Sequence, residues 1–317
     1  MAIVTLTMNP CVDVSTSVDQ VVADRKLRCA APLREAGGGG LNVSRAVASL
    51  GGTSCAVYPT GGATGEMLDL LLTTEASTDT RPVPIDGWTR ESFAVVEQRS
   101  NQQFRFGLPG PTLSEPEWRR CLSAVGDALA SGDHLVVSGS LPPGVPPSLM
   151  GDLAELAQQA DARLVVDVSG EALQVATRVG AYLAKPNLRE LATLVGQDHL
   201  DETAQEDAAR TLVADGGTQF VLVSRGAAGV LLVGPDGLIE RIAAPSVPVR
   251  SRIGAGDSTV AGTVLALTRG ERIQDAARFG VAAGAAAVMT AGTGLCTRDD
   301  TERLYERIAT PVSSPDR

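Results

Sequence analysis

Gly254-Ala255-Gly256-Asp257 stands immediately before a helical pattern over residues 258–267. Glycines let the chain turn so that several backbone N–H groups point one way, and a helix N-terminus adds partial positive charge. Such a place can hold a transferring phosphoryl group, and a carboxylate beside it can take the proton from an attacking hydroxyl. The same four residues also read as an ordinary helix start with an acid in its first turn. Gly37-Gly38-Gly39-Gly40 runs into Leu41-Asn42 and another helical pattern. Four successive glycines imply a very close backbone approach, most simply to a ligand, although a flexible loop has the same composition. The third glycine of a dinucleotide fingerprint would fall at Asn42, and no Gly-Lys-Ser/Thr of a Walker loop occurs. Asn9-Pro10-Cys11-Val12-Asp13 ends the first strand pattern, the place where parallel sheets bind ligands. Asp13 there can accept from sugar hydroxyls, or simply form a turn.

Two further segments follow strand patterns. Lys185-Pro186-Asn187-Leu188-Arg189-Glu190 enters a helix, and Asn187 with Glu190 three residues on has the form of a capping box. Read functionally, Lys185 and Asn187 meet nucleotide phosphates and Glu190 holds magnesium through water. Ser224-Arg225-Gly226-Ala227-Ala228-Gly229 can turn tightly against a nucleotide, or make a β-hairpin turn.

The elements that must carry these residues alternate. Strand patterns cover residues 2–7, 55–58, 134–137, 163–168, 182–184 and 220–224; helical patterns cover 41–50, 66–72, 115–130, 148–160, 188–195 and 201–214. This alternation predicts βαβ units, a mostly parallel sheet and helices on both faces, in a single α/β domain. Two segments break the rhythm. Residues 13–34 are polar without helical period, and 91–106 read as a hairpin with Phe93 and Val95 facing Phe104 and Phe106 across Ser100-Asn101. They predict a small separate β-sheet, a lid over one end of the main sheet formed by about 13–36 and 89–107. The apolar run 281–289 predicts a buried helix, and the Pro- and Ser-bearing tail 310–317 a frayed end.

Composition narrows the partners. The net charge of −10 disfavours long-range attraction to nucleic acid or anionic membranes. At 3 %, aromatic residues are too few for base-stacking platforms. Small anions must then be met by local donors, and the only two lysines, Lys26 and Lys185, both sit inside motifs. Five scattered cysteines without CxxC, no membrane-length apolar run and no leader pattern predict a cytoplasmic protein with reduced thiols. His134 and His199 are the only histidines and read as structural or surface residues, so a histidine-rich zinc site or a Ser-His-Asp triad is poorly supported.

Taken in this order, the motifs resemble the PfkB/ribokinase family of carbohydrate kinases over essentially the whole chain. The likeness is greatest to its minor bacterial 6-phosphofructokinase branch. It is carried by Lys26-Leu27-Arg28-Cys29, the glycine run with Asn42-Val43-Ser44-Arg45-Ala46, Trp88-Thr89-Arg90, and Ser138-Gly139-Ser140-Leu141-Pro142-Pro143-Gly144. Related 1-phosphofructokinases and tagatose-6-phosphate kinases usually carry Lys within the glycine run, where this chain has Gly.

The resemblance implies a ribokinase-like three-layer α/β/α core with a small β-sheet lid. It implies MgATP-dependent phosphorylation of fructose 6-phosphate at its C1 hydroxyl. Asp257 would be the base, and the N–H groups of Gly254, Ala255, Gly256 and Asp257 the phosphoryl hole. Asp13, Gly38, Gly39, Asn42 and Ser140 would bind the sugar and Arg90 its phosphate, while Lys26 would reach a neighbouring subunit's substrate in a homodimer joined through the lids. Lys185, Asn187, Ser224, Gly226 and Gly229 would line the ATP site, with Glu190 toward Mg2+. Carbonyls near Ser251, Ile253, Ala287, Thr290 and Gly292 would hold a monovalent cation such as K+. Arg252 and Gly294 depart from the family pattern beside that loop. The alternatives are a kinase for fructose 1-phosphate or tagatose 6-phosphate, and a non-catalytic sugar-phosphate sensor.

Overall fold

A computed structural model describes residues 1–73, 78–290 and 292–309 of the 317; the expected frayed tail, 310–317, lies outside them. The strands among the described residues are β1 (Ile3–Leu6), β2 (Cys11–Val18), β3 (Leu33–Gly37), β4 (Ser54–Thr60), β5 (Thr78–Pro84), β6 (Arg90–Glu97), β7 (Gln103–Gly107), β8 (His134–Ser138), β9 (Arg163–Asp167), β10 (Ala181–Ala184), β11 (Thr218–Ser224), β12 (Val230–Val233) and β13 (Ile239–Ile242). The α-helices are α1 (Gly39–Ser49), α2 (Gly62–Thr73), α3 (Glu115–Gly126), α4 (Leu149–Gln159), α5 (Gly170–Ala176), α6 (Leu188–Leu194), α7 (Glu202–Ala214), α8 (Ala255–Thr268), α9 (Ile273–Ala287) and α10 (Arg298–Ala309).

Nine strands form the main sheet in the order β13-β12-β11-β10-β9-β8-β1-β4-β5. Neighbours from β11 to β5 are parallel, and β12 and β13 close one edge antiparallel. The strand alternation, one side chain up and the next down, makes the layers. Ile3, Val136, Val165 and Leu183 pack under α1, α8 and α9, while Val4, Leu135, Val137, Leu164 and Val166 pack against α3, α4 and α5. Helices α6 and α7 extend the second face over β11 and β12. All these core positions are almost wholly buried, each worth about 1.5–3 kcal/mol of transfer free energy for the larger side chains.

The two segments without helical rhythm make a second sheet, β3-β2-β6-β7. The hairpin pairs as its sequence pattern indicates, Phe93 with Phe106 and Val95 with Phe104, and Asn101 takes the positive φ that its turn requires. The first of these segments enters the sheet through β2, Cys11–Val18, which begins two residues before it and pairs parallel with β6 and antiparallel with β3. Register then sorts the two faces. Val12, Val14 and Phe93 pack toward α2, while Cys11, Asp13, Glu35, Gly37, Ser92 and Arg105 share the other face. His134 is a fully buried strand residue edge-on to Tyr182, and His199 is exposed.

Candidate active site

Helix α8 starts earlier than its sequence pattern indicates. Gly254 is its N-cap, in a left-handed conformation at φ 74° that glycine adopts freely. Residues 255–257 are therefore the first turn, and their N–H groups are the donors that a helix leaves without intrahelical partners. Asp257 is the third residue of that turn. The helix is immobilised by α9: a Cβ on Gly280 would lie 2.1 Å from Thr263 Oγ1, and one on Gly284 2.3 Å from Thr259 Oγ1. Only bare glycine lets the two helices approach this closely.

Three other elements bring their residues to Asp257. From α1, Asn42 Nδ2 donates to Asp257 Oδ2 at 2.9 Å. From the end of β10, the buried Lys185 reaches to where a Cβ on Gly256 would be 3.5 Å from its Nζ. From the end of β9, Asp167 Oδ1 pairs with Lys185 Nζ at 3.0 Å. Burial, reinforced by the negative charges of Asp167 and Asp13, raises the Asp257 carboxyl from 3.8 to about 6; the Asn42 hydrogen bond and the Lys185 charge oppose that rise. Burial by itself would push Lys185 down. The facing carboxylates of Asp167, Asp257 and Glu190 outweigh it and hold the ammonium above its ordinary range. The result is a carboxylate that titrates near neutrality beside a permanent cation and a row of free N–H groups. That set can accept a proton from a hydroxyl while steadying negative charge.

Several residues expected to meet a sugar lie beside the small sheet. Asn9 is their hub: its Nδ2 donates to Ser140 Oγ at 3.1 Å, and its carbonyl accepts from Arg90 Nε at 3.3 Å and Nη2 at 3.2 Å. The Leu108 carbonyl accepts from Arg90 Nη1 at 3.4 Å. The guanidinium is thus held by neutral carbonyls, and its charge is left for an anion. Asp13 Oδ1 accepts from Cys11 Sγ at 3.1 Å; burial first, then the Asp13 carboxylate, pushes that thiol far up.

The glycine run has a different cause from ligand approach alone. A Cβ on Gly37 would lie 2.3 Å from Asp13 Oδ2, on Gly38 2.7 Å from Thr7 Cγ2, on Gly39 2.3 Å from Ser138 Oγ, and on Gly40 2.7 Å from the Leu6 carbonyl oxygen. The protein's own strands β1, β2 and β8, with the residue that follows β1, occupy all four directions, so the packing of β3 and α1 gives an internal reason for the glycines.

At the segment expected to meet a nucleotide, the capping box forms in full. Asn187 Oδ1 accepts from the N–H groups of Arg189 and Glu190, and Glu190 Oε2 accepts from the Asn187 N–H at 2.8 Å. Capping uses the Asn187 carbonyl oxygen and leaves its NH2 group, the part that a phosphate would take. Burial, helped by the Asp167 charge, raises Glu190. Ser224 lies beside Asn187 across an isolated parallel bridge. Gly226 and Gly229 have φ of 61° and 87° in a hairpin turn between antiparallel β11 and β12, so the hairpin reading of this loop holds.

Among the described residues no cluster of three or more His, Cys, Asp or Glu can cage a metal. A metal here would have to bring most of its ligands with it, as magnesium does on a nucleotide. The segments expected to hold a cation are brought together: the N–H groups of Arg250 and Ser251 both donate to the Val288 carbonyl, and Thr290 N–H to that of Ala287. Among the described residues no backbone N–H donates to the Ser251 or Ile253 carbonyl, and Arg252 is exposed. That donor set suits a monovalent cation. Lys26 lies apart, in the exposed segment between β2 and β3. The eight residues of β2 put that end about 25 Å from Cys11.

Asp167 and Arg105 are not singled out by residue type and spacing. Asp167 closes a predicted strand, and a carboxylate at the carboxyl end of a parallel strand is the signal that could have found it. Arg105 is found only through pairing: with Arg90 it is one of the two cations that bear on Cys11. A cavity of about 490 Å³ lies elsewhere, lined by Arg163, Tyr182 and Thr218 at the amino ends of β9, β10 and β11, opposite to Asp167 and Lys185.

Comparison with known proteins agrees with this geometry. The family described as pfkB family carbohydrate kinase matches residues 2–300. An ATP-dependent 6-phosphofructokinase isozyme 2 of Mycobacterium tuberculosis (strain ATCC 25618 / H37Rv) is 43 % identical over 98 % of this chain and 91 % of its own. The Escherichia coli (strain K12) protein of that name is 42 % identical over 96 % and 97 %. The crystal structure of phosphofructokinase-2 from Escherichia coli in complex with potassium superposes with a TM-score of 0.93 at 41 % identity, covering 98 % of this chain and 99 % of that one. Further structures of that E. coli protein hold substrates and products, or show a tetrameric inhibited form. The core is ribokinase-like, and the chain belongs to the pfkB family of carbohydrate kinases.

Proposed function

We propose that the chain is an ATP-dependent 6-phosphofructokinase, moving the terminal phosphoryl group of ATP to the C1 hydroxyl of fructose 6-phosphate to give fructose 1,6-bisphosphate. The observation that carries this reading is Asp257. It is a carboxylate with a value of about 6, on the first turn of a helix whose free N–H groups and neighbouring Lys185 bound the same space. Asp257 takes the proton as the C1 oxygen attacks, and the N–H groups of Ala255, Gly256 and Asp257 steady the moving phosphoryl group. Asp13, Asn42 and Ser140 receive the sugar hydroxyls. Arg90, with Arg105 on the same face of the small sheet, pairs with the 6-phosphate, a group suited to a forked guanidinium. Lys185 and the Asn187 NH2 group receive ATP phosphates, while Ser224, Gly226 and Gly229 lie along the nucleotide. Glu190 would hold, through water, the magnesium that comes with ATP, an ion that would supply charge neutralisation to the phosphates. The loop of Ser251, Ile253, Ala287, Thr290 and Gly292 takes potassium, in keeping with the E. coli potassium complex.

The small sheet serves as the lid and as the dimer contact. Among the described residues its edge strands β3 and β7 each pair on one side only, and Leu33 and Phe106 on them are 57 % and 53 % exposed, surface that pairing with a second copy would cover. In such a dimer, Lys26 reaches the partner's substrate phosphate. None of the described helices is long and apolar enough to cross a membrane, and all five cysteines are free, which supports a cytoplasmic enzyme. The test is coupled ADP release with fructose 6-phosphate, fructose 1-phosphate and tagatose 6-phosphate. The expected order puts fructose 6-phosphate first; faster turnover of either rival reassigns the substrate, and binding without turnover makes the chain a sensor.

A further inference from the structure

Asn42 stands between two groups of opposite chemistry. Its Nδ2 donates to Asp257 Oδ2 at 2.9 Å, and its Oδ1 accepts from Arg45 Nη1 at 3.4 Å, one turn further along α1. A guanidinium has donors only and an ionised carboxylate has acceptors only. With Arg45 in place, the amide has one satisfactory orientation, NH2 toward the base. Without Arg45 it can turn over and accept a hydrogen bond from a protonated Asp257 instead.

Arg45 in turn is held by the small sheet. Its Nη1 donates to the Ala36 carbonyl at 2.7 Å, and its Nη2 lies 3.7 Å from Glu35 Oε1, both side chains being largely buried at 13 % and 17 % exposure. The second Glu35 oxygen accepts from Thr293 Oγ1 in the loop before α10. A continuous set of polar contacts therefore runs from Thr293 through Glu35 on β3 to Arg45, Asn42 and Asp257.

We propose that Arg45 is a positioning residue that, anchored by Glu35 and Ala36 of the small sheet, orients the Asn42 amide so that its NH2 group faces Asp257 and the base is kept ready to accept a proton. Arg45 touches neither substrate nor reacting atoms; it acts through Asn42. This rests on Asp257 being the base.

The charged groups facing Asp257 are Asp167 from β9, Lys185 after β10 and Asp13 from β2; none is altered in the test. Arg45→Met keeps most of the stem and removes the donors. Its kcat/KM for fructose 6-phosphate should have its acid limb moved up by about 0.5 to 1 pH unit, the worth of one ordinary net hydrogen bond. The defect should therefore be several-fold near pH 6 and small at pH 8.5. Arg45→Lys, which can still donate, should stay near the wild-type limb, and Glu35→Gln should move it the same way by less. In an Asn42→Ala background, Arg45→Met should move the limb no further.

A defect equal at all pH values, or a limb shift of the same size without Asn42, overturns the proposal: the first makes Arg45 a strut, the second a distant charge. Urea midpoints at pH 8 check that the variants fold; should Arg45→Met not fold, Glu35→Gln with and without Asn42 decides by the same criterion. Failure of the underlying reading is distinguishable, because Asp257→Asn would then keep its turnover.

Discussion

Replacing Asp257 by Asn should make this protein more stable while nearly abolishing its turnover. The native structure raises this carboxyl from 3.8 to about 6, first by burial and then by the charges of Asp167 and Asp13. Because the folded-state value lies above the unfolded one, the native state holds the proton more tightly, and ionisation costs native stability. That cost is absent below about pH 4, grows through the window between the two values and is complete above about 6. A difference of about two pH units corresponds to about 3 kcal/mol at 1.36 kcal/mol per unit. Asp257 keeps part of its surface open, so solvent screens some of this and about 1–3 kcal/mol is expected. The amide introduced in Asp257→Asn can still accept from Asn42 in place of the carboxylate oxygen, and Lys185 keeps Asp167. Urea unfolding at fixed protein concentration, at pH 8 and at pH 5, would measure the gain; about half should remain at pH 5. Turnover at pH 8 should fall by about 10² to 10⁴ or more, the worth of a positioned base. A variant less stable at pH 8, or stabilised equally at both pH values, would refute the electrostatic reasoning; near-normal turnover would remove Asp257 as the base.

For the wild-type enzyme, kcat/KM should fall below about pH 6 as Asp257 gains its proton; a profile flat down to pH 5 speaks against a base with this environment. Arg90→Ala should raise KM for fructose 6-phosphate about 10- to 100-fold and leave that for ATP nearly unchanged, because one forked contact to a charged group is lost. Equal losses for both ligands would sink its assignment to the sugar phosphate. Gly39→Ala places a Cβ 2.3 Å from Ser138 Oγ and 2.6 Å from the Gly139 nitrogen, so it should cost about 1–3 kcal/mol by overpacking, read as a lower urea midpoint without any ligand present. An unchanged midpoint would mean that the glycine run answers to ligand rather than to packing.

Much of the fold is legible because two periodicities are local. The strand patterns at 2–7, 134–137 and 163–168 and the helical ones at 41–50 and 201–214 alternate as a parallel sheet must, and β1, β8, β9, α1 and α7 occupy those places. Boundaries are less legible. The helical pattern places the start of α8 at Ser258, yet Gly254 caps it and helix begins at Ala255, because a glycine's φ is decided by what surrounds it. The hairpin β6–β7 shows in its alternation; β2 has the same alternation, Val12, Val14 and Val18 against Asp13, Ser15 and Ser17, but the polar stretch that follows it leaves the end of the strand unmarked.

The candidate site divides in the same way. Residue types and order alone pick out Asp257 and Lys185, because an acid at a helix start and a lysine after a strand are chemically marked; Asn42 and Arg90 stand out only through the family resemblance. Only the tertiary structure decides that Asp167 pairs with Lys185, that Arg90 and Arg105 both bear on Cys11, and that Arg45 is anchored where it can back Asn42. These relations run through strand register and helix packing, mostly between residues far apart in the chain, and no local pattern carries them. The glycine run shows both sides at once. The sequence demands a close approach at residues 37–40, and only the fold shows that the protein's own β1, β2 and β8 make it, because what fills the space beside a missing Cβ is decided by the packing of distant segments.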